Sequence, residues 1–189
     1  MKNVLCYIYE KFVDFETVFT CSYLNEMEDY NLVYIAYDKA PIISSGGLKI
    51  IPDKTVSEIS DGEDIYGLLI PGGSIREFKP ELMSLIQKLN GEKKLIAAIC
   101  AAPEFLAKSG ILNDKKYTTS LLPEYYEEKK EIDPFPRDNY IESRIVKDSN
   151  LITAKGHAFV DFALEIWDYF GLYENKDEIE QDKLLLTPS

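Results

Sequence analysis

Histidine occurs once in these 189 residues, tryptophan once and cysteine three times. One histidine cannot complete a typical zinc site, and Cys6, Cys21 and Cys100 lack the short spacings by which thiolates share a metal. The expectation is a protein with no metal and no cofactor, whose odd set of thiols stays reduced in a cytoplasmic setting. Positive charge is scarce as well: 21 Lys and Arg stand against 33 Asp and Glu, a net charge of −12. Such an excess argues against phosphate backbones and anionic lipid, so neither nucleic acid nor membrane is an expected partner. No stretch reaches the ~18 apolar residues of a membrane span. The apolar run after Lys2 breaks at Glu10 with no small-residue cleavage site behind it, which is not the form of a secretory leader. Internal repeats and low-complexity tracts are missing too.

What the chain does contain is core-forming material. Hydrophobic residues make up 46% of it and aromatics 12%, which excludes general disorder. The length suits a single domain over 1–189, and a chain this long buries about 70% of its unfolded surface without needing cross-links.

The apolar residues fall into two alternating patterns. Asn3 to Tyr9, Tyr30 to Tyr37, Ile65 to Ile70, Leu95 to Ile99 and Leu151 to Ala154 are short apolar runs of strand length. Between them, helical spacing predicts a first helix with Asp14 as N-cap and Phe15, Val18, Phe19 and Tyr23 as its stripe. A second helix opens at Pro80, carries Leu82, Leu85, Ile86 and Leu89, and stops at Asn90-Gly91. A late one carries Phe159, Phe162, Ala163, Ile166 and Phe170 and stops at Gly171. Pro41 to Pro52, with Gly46-Gly47 at its middle, reads as a hairpin beside the main sheet. Fully apolar strands separated by amphipathic helices predict an α/β fold: a three-layer α/β/α sandwich around a mainly parallel sheet. The charge-dense segment 121–140 reads as a surface excursion. The acidic tail 174–189 ends in Leu184-Leu185-Leu186, a run that would dock on the body or on a partner subunit.

Ligands of open α/β sheets bind at the carboxyl ends of the strands, and three groups fall there. Cys100 sits where the Leu95 strand runs into a helix, within Ala97-Ala98-Ile99-Cys100-Ala101-Ala102-Pro103. Ala98 and Ala102 supply the small residues two before and two after the nucleophile that a nucleophile elbow demands. The free N–H groups of the helix start would lower the thiol pKa; the alternative is a small cysteine buried among alanines. Gly72 and Gly73, after the Ile65 strand, are a plain turn or a source of backbone N–H groups for an oxyanion, jointly with Ala101. Glu16 stands in the first turn of the first helix, where the dipole favours a carboxylate with or without a catalytic role.

Together, Phe15-Glu16-Thr17-Val18, Ile70-Pro71-Gly72-Gly73 and the elbow around Cys100 resemble the ThiJ/PfpI superfamily, which has a class I glutamine amidotransferase-like, flavodoxin-type fold. Tyr117-Thr118-Thr119 and Leu151-Ile152-Thr153-Ala154-Lys155-Gly156 look like two further family segments. The resemblance implies Cys100 as nucleophile, Glu16 as the buried acid hydrogen-bonded to it, and Gly73 and Ala101 as oxyanion donors. Two positions depart from the family. Members with protease activity have His directly after the nucleophile, where this chain has Ala101. Members of the deglycase type have His after the Thr-Thr pair, where it has Ser120. The first departure speaks against a peptidase dyad, the second against direct carry-over of the deglycase mechanism. His157 follows the last strand, where related amidotransferases place a catalytic histidine; it would either orient and deprotonate Cys100 or cap a helix start.

Three functions fit these residues. One is an enzyme attacking small amides or reactive aldehydes such as methylglyoxal, with Cys100 as nucleophile and Glu16 as proton shuttle. Another is a stress-response protein whose Cys100 is oxidised to sulfinate. The third is a binding module that keeps only the fold. The expected partners are a small-molecule substrate or oxidant and a second copy of the chain, the latter on the resemblance and on an aromatic excess of 13 Tyr and 9 Phe.

Overall fold

Runs of Val, Leu, Ile and Ala pair side by side because each has two apolar faces to hide. In the computed structural model, which describes residues 2–187, they form one seven-stranded sheet. The elements run β1 (Lys2–Tyr7), α1 (Phe15–Glu26), β2 (Tyr30–Ala36), β3 (Ile42–Ile43), β4 (Lys49–Ile50), β5 (Lys54–Thr55), β6 (Ile65–Ile70), α2 (Pro80–Gly91), β7 (Leu95–Ile99), α3 (Pro103–Lys108), α4 (Pro123–Lys129), β8 (Ile145–Asp148), β9 (Leu151–Ala154), α5 (Phe159–Tyr169) and α6 (Lys176–Leu186). Strand order is β5-β2-β1-β6-β7-β9-β8, all parallel except β8, which runs antiparallel along β9. β3 and β4 form the separate hairpin the sequence predicts. Every residue of β7 is buried, as a central strand covered on both faces requires. Helices α1 and α5 pack against each other, and so do α2 and α3, giving the α/β/α layers. No described helix is long and apolar enough to cross a membrane.

Helix α1 corrects the sequence reading. Its sheet-facing residues are Glu16, Thr17, Thr20, Cys21 and Leu24, while Phe15 is 52% exposed. The aromatic stripe turns sideways instead: Phe15 and Phe19 meet Phe159 edge-on, and Phe19 and Tyr23 flank Trp167. The Trp167 indole N–H donates to the Thr20 carbonyl at 2.9 Å. The stripe is real but serves helix–helix contact, which leaves the inner face free for polar groups.

Two other regions gain detail. Segment 121–140 contains α4 and sends Leu121, Tyr126 and Phe135 inward, with its charged residues outside. In the tail, α6 is N-capped by Asn175 and held against α5 by a Lys183–Asp161 ion pair at 3.0 Å. Ile179 packs on the core, whereas Leu184 and Leu185 stay exposed.

Candidate active site

The end of β7 turns so sharply into α3 that Cys100 adopts φ +64°. This left-handed backbone is unfavourable for a side-chain-bearing residue and persists only where neighbours fix it. Here they do. The Cys100 N–H donates to the Ala154 carbonyl at 2.8 Å, and its carbonyl accepts from the Ser120 N–H at 2.8 Å and the Thr119 hydroxyl at 2.9 Å.

Two glycines wall the thiol because nothing larger fits. A Cβ on Gly72 would lie 2.6 Å from Cys100 Cβ and 2.9 Å from Glu16 Oε2. One on Gly156 would lie 2.9 Å from Cys100 Sγ and 3.1 Å from Glu16 Oε1. Both are closer than real side chains come, so the thiol, the carboxyl and the two glycines share one small space. Glu16 is 2% exposed and its Oε2 accepts the Gly72 N–H at 2.7 Å. That bond corrects one reading: Gly72 holds the acid, and its N–H is not offered to an oxyanion.

The Pro71-Gly72-Gly73 strip is fixed by its carbonyls. Pro71 O accepts from the Tyr9 hydroxyl, Gly72 O from the Val13 N–H and Gly73 O from Arg76. Since a peptide's C=O and following N–H point opposite ways, anchoring Gly72 O also sets the direction of the Gly73 N–H. Arg76 and Glu104 form an ion pair at 2.6 Å with both side chains less than a tenth exposed. The same guanidinium donates to the Tyr125 hydroxyl of α4 at 3.1 Å. Sequence reasoning missed this strap, since neither residue belongs to a motif.

Electrostatics overturn one expectation. Burial pushes the Glu16 carboxyl up to about 7, against hydrogen bonds from Gly72 and Cys100 that favour its charged form. Burial, and then the Glu16 charge, push the Cys100 thiol up to about 11. Bonds from Ser120 and the Ala101 N–H pull it back only partly. The helix start was expected to favour thiolate; α3 is a six-residue helix, and desolvation outweighs it. At neutral pH the resting group is a thiol.

His157 lies in a single 3₁₀ turn, Gly156–Ala158, and is exposed, its charge bearing on Glu142. The groups that bear on Cys100 are Glu16, Ser120 and Ala101 instead. Ser120, noticed in the sequence only as a missing histidine, occupies the place beside the thiol and accepts the Gly156 N–H at 3.0 Å. Among the described residues no cluster of His, Cys, Asp and Glu could hold a metal ion.

A doubly wound sheet with a strained cysteine elbow and a buried carboxyl against it defines a class of cysteine-centred α/β proteins. Comparison with known proteins narrows the class. The DJ-1/PfpI family model matches residues 2–168, and the chain belongs to that family. It is 31% identical over 173 residues to a Bacillus subtilis protein named as an uncharacterized protease, YdeA, covering 89% of this chain and 85% of that one. It is 26% identical over 120 residues to a deglycase of Pyrococcus horikoshii, covering 62% of this chain and 71% of the other. Among solved structures, a DJ-1 superfamily protein from Agrobacterium tumefaciens superposes with a TM-score of 0.82 at 28% identity over 98% of both chains.

Proposed function

We propose that the protein is an enzyme acting on small reactive carbonyl compounds, with Cys100 as nucleophile and Glu16 as the proton carrier. The observation that carries this reading is the Glu16 carboxyl, titrating near 7 in the space it shares with the thiol. A base poised near the working pH transfers protons most efficiently. On a 2-oxoaldehyde such as methylglyoxal, Cys100 sulfur forms a bond to the aldehyde carbon while its proton passes to Glu16. The oxyanion is met by the N–H groups of Gly73 and Ala101, then takes the proton back from Glu16 as a hemithioacetal. Glu16 next moves a proton from that carbon to the neighbouring one, while the hydroxyl proton passes to the neighbouring oxygen, leaving a thioester. Water cleaves it, releasing the 2-hydroxy acid and restoring the thiol. No outside oxidant enters, because one carbon is oxidised as its neighbour is reduced. The relative named a deglycase supports aldehyde-derived substrates. Ala101 in the position of a protease histidine argues against peptide hydrolysis.

The test is to incubate the protein with methylglyoxal and assay lactate. Wild type should turn over, Cys100→Ala should not, and Glu16→Gln should be slower by about 10²-fold. Lactate formation unchanged in Cys100→Ala would overturn the proposal.

A second reading has its own support. Protonated Glu16, the Ser120 hydroxyl and the Ala101 N–H are donors suited to a Cys100 sulfinate, which peroxide would form by adding two oxygens to sulfur. Mass spectrometry after peroxide treatment would show that adduct on Cys100, and its loss of stability in Glu16→Leu.

A further inference from the structure

The C-terminal edge of the sheet carries a second concavity. β2 and β5 lie on one side of β1, and β6 with the later strands on the other. The loops leaving β1, β2 and β6 therefore diverge, and doubly wound sheets open a crevice at such a point. The cavity measures about 230 Å³, smaller than the ~300 Å³ at which pockets begin to suit drug-sized molecules. It fits a fragment-sized ligand. Cys100 and Glu16 are not in its wall. Tyr9 stands between the two sites, its hydroxyl on Pro71 O and its ring against Gly73.

Four features of the wall point to one ligand chemistry. Three carboxylates, Glu10, Asp38 and Glu77, face one cation, Lys79. That balance repels the phosphates that such crevices hold in other proteins. Lys79 itself shows how an ammonium is received: its Nζ lies 4.4 Å from the Tyr37 ring centroid and 3.2 Å from Glu77 Oε2. The Tyr37 ring is preset, since its hydroxyl donates to Glu77 O and accepts the Lys79 N–H, both at 2.9 Å. Tyr7, fully buried in the wall, meets the Tyr37 ring edge-on with centroids 5.4 Å apart and helps to hold it. Beside these groups, Ile42 and Ile75 offer apolar surface.

We propose that this crevice binds a small organic cation, an ammonium carried on an apolar body, with the ammonium on the Tyr37 ring in place of Lys79 Nζ. The attraction comes from the ring's negative face and the nearby carboxylates, and it is stronger than in open water because the site is partly desolvated. The body lies along Ile42 and Ile75. The proposal does not depend on what Cys100 does.

The probe is 2-phenylethylamine, and its neutral counterpart 2-phenylethanol is the control. Binding is followed by calorimetry and by the methyl resonances of Ile42 and Ile75. The amine should bind roughly tenfold more tightly than the alcohol. Lys79→Met removes the resident ammonium from a half-exposed position that folding does not need. It should tighten the amine several-fold and leave the alcohol unchanged. Tyr37→Leu should weaken the amine by roughly tenfold. Cys100→Ala should bind it like wild type, so failure here leaves the thiol chemistry untouched. Equal affinity for amine and alcohol, no tightening in Lys79→Met, or no binding by either protein would each overturn the proposal.

Discussion

Two places in the molecule hold thiols against the sheet. Cys6 of β1 and Cys21 of α1 are buried next to each other, and Cys100 stands half-buried at the end of β7. The Cys21 contact and burial raise Cys6, while burial and the Glu16 charge raise Cys100. Acidity therefore does not separate them. Their neighbours do: Cys6 meets another thiol and Thr17, whereas Cys100 meets a carboxyl, a hydroxyl and backbone N–H groups on a backbone held at φ +64°. On the proposed reading Cys100 reacts through access and a waiting proton acceptor, and a low resting pKa is not needed.

The largest expected effect comes from cutting the strap that only one of the two sites possesses. Arg76→Met leaves the buried Glu104 carboxylate with only the partly exposed Lys108, 3.3 Å away, as its partner, a loss of up to about 3–5 kcal/mol by chemical denaturation. Below the unfolding transition, Cys100 alkylation should change while Cys6 and Cys21 stay protected. If all three thiols open together, the sites are not independently held.

Next comes the pH dependence of stability. Glu16 is raised from the usual 4.5 to about 7, so the folded state binds this proton more tightly than the unfolded chain. Its contribution is fully present below about pH 4.5 and is lost as pH rises through 7, a fall of roughly 3 kcal/mol. Glu16→Gln should flatten the stability profile over that window relative to wild type. An unchanged slope would place the titration elsewhere.

A smaller difference is the order of labelling. Iodoacetamide at neutral pH should modify Cys100 at least about tenfold faster than Cys6 or Cys21. Peptide mapping that found either of the others first would reverse the comparison. The smallest effect belongs to His157. His157→Ala should change stability by less than ~0.5 kcal/mol and leave the pH profile of Cys100 alkylation where it was; a shifted profile would bring the histidine into the site.

Some of this was legible in the sequence and some was not, for physical reasons. Strands β6 and β7 announce themselves because burial on both faces leaves only apolar residues, and the elbow is visible because its tight turn admits only alanines around Cys100. Two-residue β5 is too short to carry a pattern. The inner face of α1 escaped because its two most conspicuous apolar residues, Phe15 and Tyr23, serve a neighbouring helix. The closeness of Gly156 to the thiol depends on β9 lying next to β7, and pairing order is not written in local spacing. Arg76 and Glu104, 28 residues apart, read like any surface charges until the loop and α3 are brought together.

The residues around the thiol, Glu16, Gly72, Cys100, Ser120 and Gly156, are drawn from five separate stretches of the chain. During synthesis, Cys100 emerges well before β9 can pair with β7 and bring Gly156 across. Until then the elbow has Thr119 and Ser120 on its carbonyl but lacks the Ala154 carbonyl that holds its N–H, so the strained turn is only half fixed. A nascent chain therefore carries Cys100 in a half-held turn until β9 has been made. The surroundings of the thiol are complete only when β9 closes on β7 and brings Ala154 and Gly156 across, so the finished elbow and the finished sheet arrive as one event.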